Sequence, residues 1–339
     1  MRRSMMGQET LTVDDGATRR RVLGGLAAGG AMLAGGSGSL AQEQNRLHFL
    51  VPARAGGGWD QTARAVANAM TKAKLVRSAT LEHVSGGGGA KAISYLMTTG
   101  ATQQDTLMVS STPIVLRAVR GATPSYRELQ PIASLIGDYM VIAVRANGPI
   151  ADFSSLVSAV RRDPSRVRIA GSSLRGGMDH VLAARAFSVS SGVEPREVVY
   201  LPYDAGGNAV SALMTDQVNV LSVGLGEILA APEASQIRVL AVTAAERVPE
   251  APNLPTLREL GHDVTFINWR GFFGAPQMPA ATADAHAVLL GRLLETPAWE
   301  ATRSRYAWQT LYRPRADFAA FLAQQEATAK RVLAALDII

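Results

Sequence analysis

The chain contains no cysteine. That excludes a thiol nucleophile, a disulfide framework and any cysteine-ligated zinc or iron–sulfur centre. It does not fix the compartment, because an exported protein can lack disulfides. Lysine is also scarce: of 34 basic residues only Lys72, Lys74, Lys91 and Lys330 are lysines, and the arginine excess reads as codon bias before chemistry. Aromatic residues make up 6% and charged residues 18% of the 339 positions, against 47% hydrophobic. Such a composition is globular and is not that of a disordered, fibrous or membrane-spanning chain. There is no GxxxxGK[ST], no GxGxxG and no GxSxG, so neither a nucleotide loop nor a nucleophile elbow has support. His48, His83, His180, His262 and His286 are scattered, with no i, i+4 pair and no acidic cluster, so no metal is expected. No cofactor is expected either.

What is present begins with an address. Arg19-Arg20-Arg21-Val22-Leu23 precedes a small apolar run from Gly24 to Ala34, and Ser39-Leu40-Ala41 offers a small-x-small cleavage site. A charged segment, a short apolar stretch and that site describe an export signal over residues 1–41. The paired arginines give it a twin-arginine character, with Val22 where that pattern prefers Phe. The apolar run is too short to span a bilayer, which takes about 20 residues. The formal charge is +6, but five arginines and three acids lie in the segment to be removed. What remains carries +4 and no basic run longer than a pair such as Arg161-Arg162. Nucleic acid is therefore not an expected partner.

Beyond the signal, short β-branched runs alternate with alanine-rich helical runs, the pattern of α/β units with mainly parallel sheets. Strands are expected at residues 47–51, 80–84, 107–110, 132–135, 140–144, 166–170, 198–201, 218–223, 238–242 and 264–268. The last leads into Trp269-Arg270-Gly271, and the tail from about Ala316 to Leu336 reads as a helix. One echo stands out. Gly57-Gly58-Trp59-Asp60 follows a strand and opens a helix, and so does Gly176-Gly177-Met178-Asp179 in the second half. Either this is coincidence in a glycine-rich chain, or two similar lobes each present a helix N-terminus at the ends of their strands. Ligands of open α/β sheets bind there.

A helix N-terminus carries unpaired N–H groups and partial positive charge, and glycines let a ligand approach the backbone. Together they make an anion site. The candidate loops are Ala55–Asp60, Ser85–Gly89, Ser172–Asp179 and Tyr203–Asn208, with hydroxyls from Ser110, Ser111 and Thr112. Arg54 and Arg175 are either bidentate carboxylate ligands or solvated surface arginines. Asp60 and Asp179 suit the first helical turn, where they fix their own loops. Trp59 is either a pocket wall or a core aromatic. His180 reads as a packed or capping residue, because a lone histidine is no catalytic constellation.

These segments carry a resemblance. Pro52-Ala-Arg-Ala-Gly-Gly-Gly-Trp-Asp-Gln-Thr-Ala-Arg64, Val84-Ser-Gly-Gly-Gly-Gly-Ala90, Gly171-Ser-Ser-Leu-Arg-Gly-Gly-Met-Asp-His180, Pro202-Tyr-Asp-Ala-Gly-Gly-Asn208 and Asn268-Trp-Arg-Gly-Phe-Phe-Gly-Ala-Pro276 occur in order. They resemble the signatures of the tripartite tricarboxylate transporter receptors, the TctC/Bug group of periplasmic solute-binding proteins, over the chain from about Arg46 to Ile339. The resemblance implies an α/β, two-lobed Venus flytrap fold with a ligand cleft between the lobes, and no catalysis. It implies a first lobe of residues 42–144 plus 269–339 and a second of 145–268. The ligand residues it implies, joined to those read from the loops, are Arg54, Gly57, Gly58, Trp59, Asp60, Ser85, Ser110, Ser111, Thr112, Ser172, Ser173, Arg175, Gly176, Tyr203, Asp204 and Gly206.

The implied role is a periplasmic receptor, acting as a monomer. It would bind a small carboxylate, a di- or tricarboxylate such as citrate, and deliver it to large and small integral membrane subunits. An aromatic carboxylate stays open because Trp59 can stack on a ring. Two departures bear on the ligand: Ala55 stands where the family commonly has proline, and Leu174-Arg175 where small residues are usual. A sensor that presents bound ligand to a histidine-kinase ectodomain, and an exported α/β enzyme, are the alternatives. The enzyme lacks any constellation of nucleophile, base and orienting group.

Overall fold

The computed structural model describes residues 46–335. The expected export signal lies outside the described residues. The first half opens with β1 (Arg46–Val51), α1 (Gly58–Lys72), β2 (Ser78–His83), α2 (Ala90–Thr99), β3 (Thr106–Ser111) and α3 (Thr112–Val119), then β4 (Gln130–Arg145). The second half runs through α4 (Phe153–Arg162), β5 (Arg168–Gly171), α5 (Met178–Ser191), β6 (Val199–Pro202), α6 (Gly206–Met214), β7 (Val220–Gly224), α7 (Leu225–Ala230) and β8 (Ile237–Val242). The chain then crosses back as β9 (Ile267–Gly274), followed by α8 (Ala280–Leu294), α9 (Pro297–Arg305), β10 (Gln309–Arg313) and α10 (Arg315–Ala335).

The strands form one continuous curled path, β2-β1-β3-β9-β4-β7-β5-β6, with β8 and β10 also on β4. Its two outer thirds are parallel: β2-β1-β3 and β6-β5-β7. These are the alternating β/α units legible in the sequence. The centre is antiparallel, where β3 meets β9, β9 meets β4, and β4 meets β7, β8 and β10. β4 pairs with β9 from Gln130 to Tyr139 and with β7 from Met140 onward, so a single strand belongs to both lobes.

Helix faces follow the sequence. α1 buries Thr62, Ala63, Val66, Ala69 and Met70, a stripe at helical spacing, beneath the first lobe. α5 is buried on almost every side, from Val181 through Phe187, and stops at Gly192, whose φ of 74° is the left-handed end that glycine permits. α4 starts with a capping box in which Asp152 accepts from the Ser155 N–H at 2.7 Å.

Two local expectations change. The separate strands expected at 132–135 and 140–144 are one strand, because Gly137 and Asp138 stay extended opposite Trp269 and Asn268. The strand expected at 264–268 begins instead at Ile267 and takes in Trp269-Arg270-Gly271 as part of β9. The strand expected at 107–110 is present: Ser110 and Ser111 end β3, and Thr112-Pro113 opens α3, where proline at the first turn loses no hydrogen bond.

Candidate functional site

A cavity of about 600 Å³ lies where the strand ends of the two lobes face each other. That volume suits a small organic ligand. The first lobe contributes Gly57, Gly58 and Trp59, the Ser85–Gly88 loop, and Ser111 with Pro113. The second contributes Ser172–Asp179 and Pro202–Ala205. Met140, Glu227, Asn268 and Arg270 make the floor, and Arg117 and Arg120 stand on the first-lobe wall.

Helices α1, α3, α5 and α6 all start at this cavity, and none has a side-chain cap at its first residue. Natural helices usually satisfy such N–H groups with Ser, Thr, Asp or Asn. Here glycine or alanine stands at three of the four cap positions (Gly57, Gly177, Ala205), so no cap side chain stands between backbone and cavity there, although in α5 Ser173 Oγ accepts the Asp179 N–H at 3.1 Å. The fourth cap position is Ser111, before α3, and the separate Gly86–Gly89 loop ahead of α2 holds φ between 61° and 140° at all four residues, a path only glycine follows easily.

Two aspartates make these loops rigid. Asp60 accepts the Gly56 N–H at 2.9 Å, His83 Nε2 at 2.7 Å and Arg64 at 2.8 Å. Burial pushes its carboxyl up, but these three donors hold it below the ordinary carboxylate value. Asp179 accepts the N–H groups of Ser172 at 2.6 Å and Ser173 at 2.9 Å. Burial wins there and raises its carboxyl to about 6, against the serine donors. His180 Nδ1 accepts the Gly176 N–H at 2.9 Å, and burial, with Arg175 and Arg120 adding, pushes the ring down to about 4. A neutral imidazole that pins its own loop is the capping role read from the sequence. Trp59 lines the cavity and donates its indole N–H to Ser111 Oγ at 2.9 Å.

Contacts bridge the lobes across the cavity mouth. Asp204 of the second lobe receives Arg54 Nε at 2.5 Å and the Ser85 hydroxyl at 3.1 Å, both from the first. Arg120 donates to the Arg175 carbonyl at 3.3 Å, while Arg175 donates to the Tyr200 carbonyl at 3.1 Å. Arg54 and Asp204 are well exposed, so their pair contributes about 0–1 kcal/mol.

The floor holds what sequence reading missed. Arg270, 2% exposed, donates to Asp138 Oδ2 at 2.6 Å, to the Gly58 carbonyl at 2.6 Å and to Thr62 Oγ1 at 2.7 Å. Asp138 is fully buried and also accepts the Gly226 N–H at 3.1 Å. Burial pushes the Asp138 carboxyl up, opposed by Arg270 and that N–H. Glu227 is also buried, 4.0 Å from Arg270, and burial raises its carboxyl to about 8. A signal for the pair existed: one charge of each sign sits inside an apolar strand run, Asp138 within 132–144 and Arg270 between Trp269 and Phe272.

Of the sixteen expected ligand residues, Gly57, Gly58, Trp59, Ser85, Ser111, Ser172, Ser173, Arg175, Gly176, Tyr203 and Asp204 line the cavity. Arg54, Asp60, Ser110, Thr112 and Gly206 do not. Arg54 covers the mouth, Asp60 is under its loop, Ser110 and Thr112 are buried, and Gly206 lies against Glu227. Among the described residues no cluster of histidine and acidic side chains could hold a metal ion.

Two α/β lobes joined by crossing strands, with bare helix N-termini around one cleft, define the class of two-lobed solute receptors. Solved structures share the fold. MatC from Rhodopseudomonas palustris with bound malate superposes with a TM-score of 0.73 at 20% identity, covering 85% of this chain and 99% of that one. Rpa4515 of R. palustris with adipate gives 0.76 at 21%, covering 86% and 97%. A UPF0065 protein from the tcbD-tcbE intergenic region of Pseudomonas sp. strain P51 is 24% identical over 287 residues, 82% of this chain and 83% of that protein. The model of the tripartite tricarboxylate transporter family receptor, TctC, matches residues 62–338, and the chain belongs to that family of solute-binding receptors, which are not enzymes.

Proposed function

We propose that this receptor is exported by the twin-arginine-type signal at residues 1–41 and binds a small di- or tricarboxylate in the periplasm. It then delivers the ligand to the large and small membrane subunits of a tripartite tricarboxylate-type transporter. The observation that carries the reading is the ring of four helix N-termini without side-chain caps around one cavity. Such donors favour an anion and need no cationic side chain. The bound malate and adipate of the two R. palustris proteins are dicarboxylates, which supports the same class.

In this reading the backbone N–H groups of Gly57 and Gly58 and the hydroxyls of Ser172, Ser173 and Tyr203 hold the carboxylates, directly or through water. Residues 42–144 plus 269–339 form one jaw and 145–268 the other. Closure on the ligand yields the state that the membrane subunits bind. The test is a melting screen of the mature chain against malate, adipate, citrate, amino acids and sugars. Carboxylates are expected to raise the midpoint in a concentration-dependent way. A midpoint raised by sugars and by no carboxylate overturns the reading.

A further inference from the structure

Among the described residues, Glu227 is an acidic group on the cavity floor whose nearest cation, Arg270, is already held by Asp138. It projects from α7 into the space between the two glycine loops. A Cβ placed on Gly58 would meet its Oε1 at 3.0 Å, and one on Gly206 would strike its Oε2. The residue is 8% exposed, lines the cavity, and its Oε2 has no hydrogen-bond partner. A buried acceptor without a donor is costly, whereas a buried neutral acid is a donor waiting for an acceptor.

The charges around it oppose ionisation. Arg270 on β9 is the nearest cation, at 4.0 Å, but it is held by Asp138 of β4 at 2.6 Å. Asp138 and Asp179 of α5 both act on Glu227 as like charges, and Tyr200 of β6 is coupled to it as well. Only the Gly224 backbone N–H and Arg270 favour the carboxylate.

Resting on the carboxylate reading above, we propose that Glu227 is a specificity-determining residue that stays protonated and donates its O–H to a carboxylate oxygen of the bound ligand, so that a proton is bound with the ligand. Two carboxyl groups in one buried site repel unless a proton lies between them, and a charge-assisted O–H to carboxylate bond is among the strong ones. The O–H bond need not break: the proton stays on Glu227 and the ligand oxygen accepts.

In the free receptor Glu227 loses its proton as the pH passes about 8. Above that point binding must return the proton, so affinity is expected to fall about tenfold per pH unit. Calorimetric titrations with malate and adipate between about pH 7 and about pH 9.5, where both probes are fully ionised, measure this directly. Repeating them at about pH 8.5 in buffers of different ionisation enthalpy counts protons. Uptake of about three-quarters of a proton is expected in the wild type, the ionised fraction of Glu227 half a unit above its value.

The Glu227→Gln variant carries a neutral, weaker donor. It is expected to bind three- to tenfold more weakly at about pH 7 and to show no fall in affinity up to about pH 9.5. Wild-type binding without proton uptake, or a Glu227→Gln variant with the wild-type pH slope, overturns the inference while leaving the carboxylate reading standing. Failure of every carboxylate probe to bind at any pH overturns both.

Discussion

Replacing Arg270 by methionine isolates the central polar contact of the protein. The substitution keeps an unbranched side chain of similar length and removes the guanidinium. It deletes three hydrogen bonds, to Asp138, to the Gly58 carbonyl and to Thr62, all between 2.6 and 2.7 Å. Asp138, fully buried, keeps the Gly226 N–H but loses its cation. Breaking a buried pair from one side costs about 3–5 kcal/mol, because the remaining charge has no compensation. For about 290 described residues the entropy of unfolding is about 0.6 kcal/mol/K, so the midpoint should drop by about 5–8 °C.

The deficit also has a pH signature. Burial already raises the Asp138 carboxyl, and without Arg270 it rises further. An acid with a raised value binds more protons folded than unfolded, so stability falls as pH rises through that window. The loss in Arg270→Met should be smallest at acid pH and grow as the pH rises. Asp138→Asn should cost less at pH 8, because Glu227 stands 4.0 Å from Arg270 and takes over as its counter-ion. The double variant should regain part of the loss, a coupling that a double-mutant cycle reads. The assay is thermal unfolding of the ligand-free protein followed by circular dichroism. An Arg270→Met midpoint within about 2 °C of the parent at every pH, or a deficit that ignores pH, refutes the reasoning.

Two further variants probe the cleft. Asp204→Ala removes the acceptor that Arg54 and Ser85 share across the mouth. Its stability should change by less than about 1 kcal/mol, while malate release in stopped-flow quickens several-fold; unchanged release assigns the bridge to surface decoration. Gly206→Ala places a methyl onto Glu227 Oε2. It should cost about 1–3 kcal/mol by overpacking and weaken malate binding together; an alanine variant that melts and binds like the parent would show that Glu227 has room to move.

The fold was readable where local rules govern it. The parallel outer strands, the glycine turns and the helix starts at Gly58, Met178 and Gly206 follow from alternation and turn chemistry. Even the loop-fixing roles of Asp60 and Asp179 were legible, because an acid in a first helical turn has few other uses. The antiparallel centre was not, since nothing in Gly137-Asp138 says that both residues continue a strand. A lone aspartate in an apolar run looks like a turn until its partner is known, and Arg270 lies 132 positions away. Glu227 was missed for the same reason. Its environment is assembled from β4, β9, α5 and β6, and no window of sequence contains it.

The Asp138–Arg270 contact lies on the two crossing strands themselves, one residue on each. In mechanical terms it is an axle. Lobes tied by loops could slide or splay, but lobes sharing β4 and β9 and pinned at this point can only rotate about it by twisting the strands. If the lobes close as proposed, floor residues close to the axle, Glu227 and Asn268 among them, are expected to move less than Asp204 and Arg54 at the rim. On that proposal the two tasks separate by radius: ligand chemistry would be read near the centre and occupancy signalled at the edge.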